Sequence, residues 1–460
     1  MMKNLVIFLV LGLLAVGLVA SDIEGQWYGV LDAMGTQLTL VVHVNKSDTG
    51  LSVSLDSPDQ GAFDIAADNA SFSDGTFEFS IGSIMASYKG TLKDGVIEGI
   101  FIQSGFEAPL QLSREEVERK PYPEKYQEPK EPYPYLQEEV SFVNEKAGIT
   151  LRGTLTIPQV KGKFPAVVLV SGSGPQDRNE ELLGHKPFLV LSDYLTRHGI
   201  MVLRYDDRGT AESEGDHSTA TTHDFADDAL AAVAFLKKHP QASMVGIIGH
   251  SEGGIIAPIA ATKDKDIDFL VLLAGSGVRG RELLIQQEAD IKRSMGVSDE
   301  EVVTAEFDLK LYNLVLEDTD LETKQKRLEE LIAEEFKKDP KFGSGATAEQ
   351  LKAGIEAQLF SPWMQNFIRM DPSEYLQQLT IPVFAVNGSS DTQVAASVNL
   401  KAISDALTKA GNKQFKTKEY PKLNHLFQTC ETGSPNEYAQ IAETFNEEVM
   451  SDIVKWIMER

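Results

Sequence analysis

The chain has 460 residues, room for two or three domains, and 42% of them are hydrophobic, too many for a disordered protein. Its 69 acidic side chains outnumber 43 basic ones, a net charge of −26 with no basic run to offset it, which argues against nucleic acid as a partner. The lone cysteine, Cys430, excludes an intramolecular disulfide and any zinc site built on several thiolates.

Residues 1–21 read as a secretory signal peptide. Lys3 gives a positive start, Leu5 to Val19 form an apolar run of 15 residues, and the small Ala20 and Ser21 precede Asp22. A membrane-spanning helix needs about 20 apolar residues, so the pattern predicts cleavage after Ala20 or Ser21 rather than an anchor. A lipoprotein would carry a cysteine at that point, and Cys430 lies far away. The expectation is an exported protein, periplasmic or extracellular, with no stable membrane anchor after processing.

Residues 22–113 alternate apolar and polar with period two. Leu38 to Val44, Leu51 to Leu55, Phe77 to Ile81 and Val96 to Phe101 read as strands, punctuated by Asp48-Thr49-Gly50, Ser73-Asp74-Gly75 and Lys93-Asp94-Gly95. The prediction is a small antiparallel β barrel or sandwich with Trp27 in its core. Residues 114–139 hold Pro121, Pro123, Pro129, Pro132 and Pro134, which predicts an extended linker.

Residues 140–460 change pattern to apolar strands alternating with amphipathic helices. Ala166 to Val170, Ile200 to Tyr205, Met244 to Ile248, Phe269 to Ala274 and Ile381 to Val386 are the strand runs, and Phe225 to Lys238 is a helix. That alternation predicts a mostly parallel sheet flanked by helices. A segment of about 280–375 interrupts it with helical periodicity and a capping box at Thr319-Asp320-Leu321-Glu322. Residues 281–374 carry 21 acidic and 12 basic side chains. This segment is expected to be a helical cap over a site, because insertions at the carboxyl ends of parallel strands overhang the ligand crevice.

Gly249-His250-Ser251-Glu252-Gly253 follows a strand and precedes a helix, where a strained turn exposes a serine nucleophile. A serine hydroxyl needs a base to take its proton. In the chain order serine, acid, histidine, His425 is the one histidine downstream of Ser251. Asp391 follows the strand Ile381 to Val386 and is the predicted acid; Asp371, inside the insertion, is its rival. The oxyanion would be held by the N–H of Glu252 and an N–H of the loop Ser171-Gly172-Ser173-Gly174-Pro175, with Ser173 preferred and Gly172 the fallback. Asp177, Arg178 and Trp363 are candidates for the substrate pocket. Asp206, Asp207 and Arg208 read as a loop-stabilising ion pair, and Cys430 as a buried structural thiol.

Taken together, residues 140–460 resemble an α/β-hydrolase, and within that superfamily bacterial esterases and the serine aminopeptidase-like group. Gly-His-Ser-Glu-Gly-Gly at 249–254, Ser-Gly-Ser-Gly-Pro-Gln-Asp-Arg at 171–178 and Arg-Tyr-Asp-Asp-Arg-Gly at 204–209 carry the likeness. The sequence departs from the pattern at Ser171, where many relatives have His-Gly, and at Pro258, inside the helix after the elbow. The expected function is a secreted serine hydrolase that cleaves a small-molecule ester or short acyl substrate through an acyl-enzyme, with no cofactor and no metal. Two alternatives stand beside it. One is an exopeptidase on short peptides, whose acidic insertion would hold the substrate's amine. The other is a non-catalytic envelope or carbohydrate binding protein on a hydrolase scaffold.

Overall fold

The computed structural model describes residues 23–460 apart from 34–35, 48–49, 61, 85, 104–105, 117–121, 303–305, 340–341 and 343–346. Residues 1–21, read above as a leader, most of the turn at Asp48-Thr49-Gly50 and Pro121 lie outside the described residues.

The alternating region forms β1 (Gly25–Ala33), β2 (Thr36–Ser47), β3 (Gly50–Ser57), β4 (Ala62–Ala66) and β5 (Asn69–Ser73). Then follow β6 (Thr76–Ile81), β7 (Ala86–Lys93), β8 (Val96–Gln103) and β9 (Phe106–Ser113). All pairings are antiparallel, in the order β4-β3-β2-β1-β9-β8-β7-β6-β5. The sheet curls into a partly open barrel, because the Ala67 N–H reaches Val53 O on β3 at 2.8 Å while the Asp68 N–H reaches Ser80 O on β6 at 2.9 Å. Asp74-Gly75 and Asp94-Gly95 have φ of 52°/78° and 52°/85°, the two positive values that a hairpin turn matched to strand twist requires.

The inward faces bury Trp27, Phe77, Tyr88 and Phe101. Trp27 Nε1 donates to Ile23 O at 2.8 Å. Gly90 and Gly99 stand opposite each other on β7 and β8 and clear the space that the Tyr88 ring fills. Its hydroxyl lies 3.2 Å from Ile97 O and 3.1 Å from Leu110 O.

The second sheet contains β10 (Tyr135–Asn144), β11 (Ile149–Pro158), β12 (Phe164–Val170) and β13 (Met201–Tyr205). It continues with β14 (Ala242–His250), β15 (Phe269–Leu273), β16 (Val383–Gly388) and β17 (Phe415–Tyr420). The order is β10-β11-β13-β12-β14-β15-β16-β17; β10, β11 and β13 pair antiparallel and the rest are parallel. From β12 the chain turns first to β13 on one side and then to β14 on the other. The carboxyl ends of β12 and β14 therefore frame the switch point where open α/β sheets hold ligands.

Helices α1 (Pro187–Arg197), α2 (Thr222–Lys237) and α3 (Gly253–Lys263) alternate with the strands. The strands bury both faces: Ala166, Val168 and Val170 of β12 join the core with α2 and α3, while Val167 and Leu169 face the core shared with α1.

Between β15 and β16 the insertion supplies α4 (Gly280–Ser294), α5 (Asp299–Val302), α6 (Glu306–Leu316) and α7 (Leu321–Lys338). It ends with α8 (Ala348–Leu359), α9 (Pro362–Arg369) and α10 (Ser373–Leu376). Leu311, Leu314, Leu328 and Ile332 give it a small core of its own. The start of α7 is one residue later than the capping-box reading: Asp320, not Thr319, is the N-cap and accepts the Thr323 N–H at 2.8 Å. A carboxylate placed three residues before that N–H is a charged acceptor at the positive end of the helix. Helices α11 (Ala396–Lys409) and α12 (Glu447–Met458) complete the fold.

The proline-rich segment is strapped to the second domain, and its last residues already belong to β10. Lys125 Nζ donates to Ala439 O at 2.9 Å and Ile441 O at 2.6 Å, and Gln127 Oε1 accepts the N–H groups of Thr444 and Phe445 at 2.6 and 3.0 Å.

Gly99→Val tests the barrel core. A Cβ at Gly99 would lie 2.4 Å from Lys89 O and 2.7 Å from Tyr88 Cζ. Overpacking of this kind should lower stability by about 1–3 kcal/mol, read as an earlier urea midpoint by tryptophan fluorescence.

Candidate active site

Strand β14 ends in a turn that can form only because three side chains are missing. A Cβ on Gly249 would sit 2.0 Å from Gly253 O, one on Gly253 2.2 Å from Val170 O, and one on Gly254 2.5 Å from Gly275 Cα. At the apex Ser251 has φ of 54°, in the left-handed region that a non-glycine residue rarely occupies. Its N–H donates to Leu273 O at 2.8 Å, tying the turn to β15. Glu252 is the N-cap of α3, where the helix dipole favours negative charge. Pro258 lies inside α3 as the sequence predicts, and the helix runs on to Lys263.

Asp391 follows β16 and is buried, with both carboxylate oxygens engaged. Oδ1 accepts the N–H groups of Gln393 and Val394, each at 2.8 Å, and Oδ2 lies 2.8 Å from His425 Nδ1. A carboxylate oxygen accepts, so Nδ1 carries the proton of this contact and the tautomer of a neutral ring would have its lone pair on Nε2. His425 sits in the loop after β17, held by Asn424 Oδ1, which accepts the Leu426 and Gln428 N–H groups at 3.0 and 2.9 Å. The rival Asp371 is engaged elsewhere, 3.1 Å from Arg279 Nε and 3.0 Å from the Ser373 N–H.

Ser251, His425, Glu252 and Ser173 line one cleft of about 210 Å³, roofed by Leu283, Leu284 and Gln287 of α4 and by Trp363 and Phe367 of α9. The insertion thus covers the site, but the side chains it contributes to the lining are neutral; its acidic residues do not join them. Beside Glu180, the wall holds the carboxyl group of Glu252. Its Oε1 accepts from Thr222 Oγ1 at 2.7 Å and from Trp363 Nε1 at 2.9 Å, while the buried Oε2 has no partner among the described residues. Burial pushes the pKa of this carboxyl up.

The loop after β12 is fixed from below. Ser171 Oγ donates to Asp207 at 2.8 Å, the Gln176 N–H donates to the same carboxyl at 3.0 Å, and the Gly172 N–H donates to Glu180 Oε1 at 2.9 Å. Gly172, the fallback oxyanion donor, therefore has its N–H occupied. Glu180 Oε1 also lies 2.8 Å from His250 Nδ1, and His250 Nε2 lies 3.0 Å from His425 O. Sequence reasoning missed Glu180, Thr222 and the side chain of His250. The quoted motif stops at Arg178, and extending it by two residues would have reached Glu180.

Two of the predicted pocket residues lie outside the cleft lining. Asp177 Oδ1 accepts the N–H groups of Asn179 and Glu181 at 3.1 and 2.9 Å, closing a local turn. Arg178 grips Asp206 with two nitrogens, Nε to Oδ1 at 3.0 Å and Nη2 to Oδ2 at 2.6 Å, and also bonds Glu139, Thr154 and Glu212. Arg208 holds Asp228 in the same forked way, at 2.6 and 2.9 Å. Trp363 is the predicted pocket residue that does line the cleft. Cys430 is buried, and burial pushes its thiol pKa up.

Arg178→Met would strand Asp206, which is 1% exposed, without its cation. Breaking a buried pair by removing one partner lowers stability by about 3–5 kcal/mol, expected as a clearly lower Tm. Arg178→Lys should restore only part of it, because the fork is lost.

A family model described as "Serine aminopeptidase, S33" matches residues 187–430. Esterase EstD of Thermotoga maritima is 29% identical over 312 residues, 67% of this chain and 65% of that protein, so the match spans just under two thirds of the relative's length. Among solved structures, the Pyrococcus furiosus esterase Pf2001 aligns with a TM-score of 0.44 at 16% identity, over 75% of this chain and 99% of that one. Est1E from Butyrivibrio proteoclasticus, solved with ferulic acid bound, aligns with a TM-score of 0.40 at 17% identity, over 70% and 98% of the two chains.

Proposed function

Because the chain belongs to the serine aminopeptidase, S33 family of α/β-hydrolases, we propose that it cleaves carboxylic esters through an acyl-enzyme carried on Ser251. The observation that carries this reading is the 2.8 Å contact between His425 Nδ1 and Asp391 Oδ2, in a cleft that also exposes Ser251 on its strained turn. In this reading His425 Nε2 takes the serine proton, the hydroxyl oxygen attacks the carbonyl carbon, and the same proton passes to the leaving alcohol. Asp391 holds the tautomer and balances the imidazolium. The oxyanion is received by the N–H groups of Glu252 and Ser173. Water then repeats the sequence to release the acid. The likeness to an esterase supports an ester substrate, and the small, largely apolar roof supports a short acyl group.

A second reading, an aminopeptidase-like exopeptidase, is favoured by one observation. The Glu252 carboxyl in the cleft wall has an unpartnered oxygen that could take a substrate's ammonium. Esters of varied acyl length assayed beside aminoacyl anilides separate the two. Turnover of the anilides alone would reverse the ranking.

Two outcomes are expected. A fluorophosphonate probe labels the folded wild type and leaves Ser251→Ala unlabelled. Asp391→Asn lowers kcat by about 10⁴-fold, because the imidazole tautomer is no longer fixed.

We also propose that the protein is exported. N-terminal sequencing of the mature chain from an osmotic-shock or culture-medium fraction should begin at Ser21 or Asp22; an intact Met1 there would overturn the leader reading.

A further inference from the structure

We propose that Glu180 and His250 form a buried charge pair that positions the oxyanion loop and the His425 loop against Ser251. The proposal rests on the reading of Ser251, His425 and Asp391 as the triad, and assigns these two residues, which also line the cleft, a positioning role beside it.

One carboxylate oxygen does most of the joining. Glu180 Oε1 receives the Gly172 N–H at 2.9 Å and His250 Nδ1 at 2.8 Å. The other ring nitrogen of His250 lies 3.0 Å from the backbone oxygen of His425. A carboxylate and a carbonyl both accept, so the ring donates at both nitrogens and is an imidazolium. Each of the two side chains is 7% exposed.

This chain of contacts touches each working part of the site once. Gly172 precedes Ser173, the second oxyanion donor. His250 precedes Ser251, so a fixed ring fixes the approach to the elbow. The last contact fixes the backbone of His425 itself. Glu180 is held at φ of 54°, a left-handed conformation that surrounding structure must impose, and its N–H is bound to Asp177 O at 2.9 Å.

Stability alone explains such a pair poorly, because a buried ion pair is commonly no more stabilising than apolar groups of the same volume. Orientation explains it better, since misplacement of reacting groups by about 1 Å can reduce a rate by about 100-fold.

The groups facing His250 set its proton affinity. Burial works against the charged ring; the Glu180 carboxylate, its hydrogen bond and the His425 carbonyl outweigh burial and raise the pKa, with Asp391 adding to them. The His425 ring lies 4.9 Å away and the Phe427 ring 6.4 Å. An enzyme that needs this ring protonated loses activity on the alkaline side when the proton leaves.

Glu180→Gln keeps the shape and removes the charge. Its kcat on a p-nitrophenyl ester should fall by about 10-fold or more with KM changed by less than about 3-fold, the signature of lost alignment rather than lost binding. Its alkaline limb should move to lower pH than that of the wild type. His250→Asn should lower kcat similarly, and the double variant should be no worse than the poorer single, as expected of residues acting as a unit. If Glu180→Gln fails to fold, His250→Asn carries the same prediction alone.

Wild-type kcat and an unmoved alkaline limb in Glu180→Gln, or wild-type kcat in His250→Asn, with Ser251→Ala inactive, would overturn the pair and leave the triad standing. No turnover and no fluorophosphonate labelling in the folded wild type would remove the triad reading and the pair with it.

Discussion

The site depends on a backbone-to-backbone contact. Between Gly249 and Gly254 the chain turns so tightly that Gly253 lies against Val170 O and Gly254 against Gly275 Cα, distances that no Cβ would permit. That closeness lets Ser251 adopt φ of 54° at the carboxyl edge of the sheet. It also brings the ends of β12, β14 and β15 into one rigid junction, with the Ser251 N–H bound to Leu273 O. Helix α3 starts at this junction and is buried along its length, so its packing holds the strained turn in place. The serine is presented by a constraint on the main chain, and its neighbours are then free to be selected for chemistry.

Around that junction the loops are held mainly by carboxylates. Asp391 collects two N–H groups and the His425 ring. Asp207 collects Ser171 Oγ and the Gln176 N–H, and Glu180 the Gly172 N–H and the His250 ring. A carboxylate presents up to four acceptor sites on a short stem, so one side chain can fasten several backbone donors. Part of the chain's large set of acidic side chains is thus an internal scaffold. Dipoles fixed before the substrate arrives need no reorganisation as charge develops on the oxyanion. The charged residues of the insertion have a different place: its cleft-lining side chains are neutral, so its acidity bears on the surface rather than on the reacting bond.

What could be read from the sequence follows from the range of each interaction. Apolar runs such as Ala166 to Val170 and the alternation of Phe77 to Ile81 are local patterns, and they became β12 and β6. The elbow's residue pattern is also local, although two of its glycines make room for distant chain, at Val170 O and Gly275 Cα. Chain order, a property of topology rather than of neighbours, selects His425 and Asp391, and the fold brings the two side chains to 2.8 Å. Glu180 and His250 are 70 residues apart, and His250 and His425 175, with no period or composition shift to mark them. Arg178 illustrates the converse: its position beside the oxyanion loop suggested a ligand contact, but the four acceptors that surround it are contributed by residues 139, 154, 206 and 212. Only the folded chain brings those together.

The barrel enters the same argument through packing. Leu426, next to His425, and Leu182 both line the cleft and both join the barrel's core cluster. The Leu183 N–H is bound to Asp59 O of the barrel at 2.9 Å, three residues after Glu180. In the insertion, Gly354 of α8 lies against Gly82 of the barrel, where a Cβ added to Gly82 would come within 3.6 Å. The barrel therefore braces the histidine loop, the segment after the oxyanion loop and the insertion at once. Removing apolar contacts of this kind leaves cavities whose lining relaxes only partly, so loosening the barrel would be felt at His425 through Leu426 before any residue of the second domain was changed. The strapped segment around Lys125 and Gln127 keeps the two domains at that contact, which places the barrel behind Leu182 and Leu426 of the cleft lining rather than at the end of a tether.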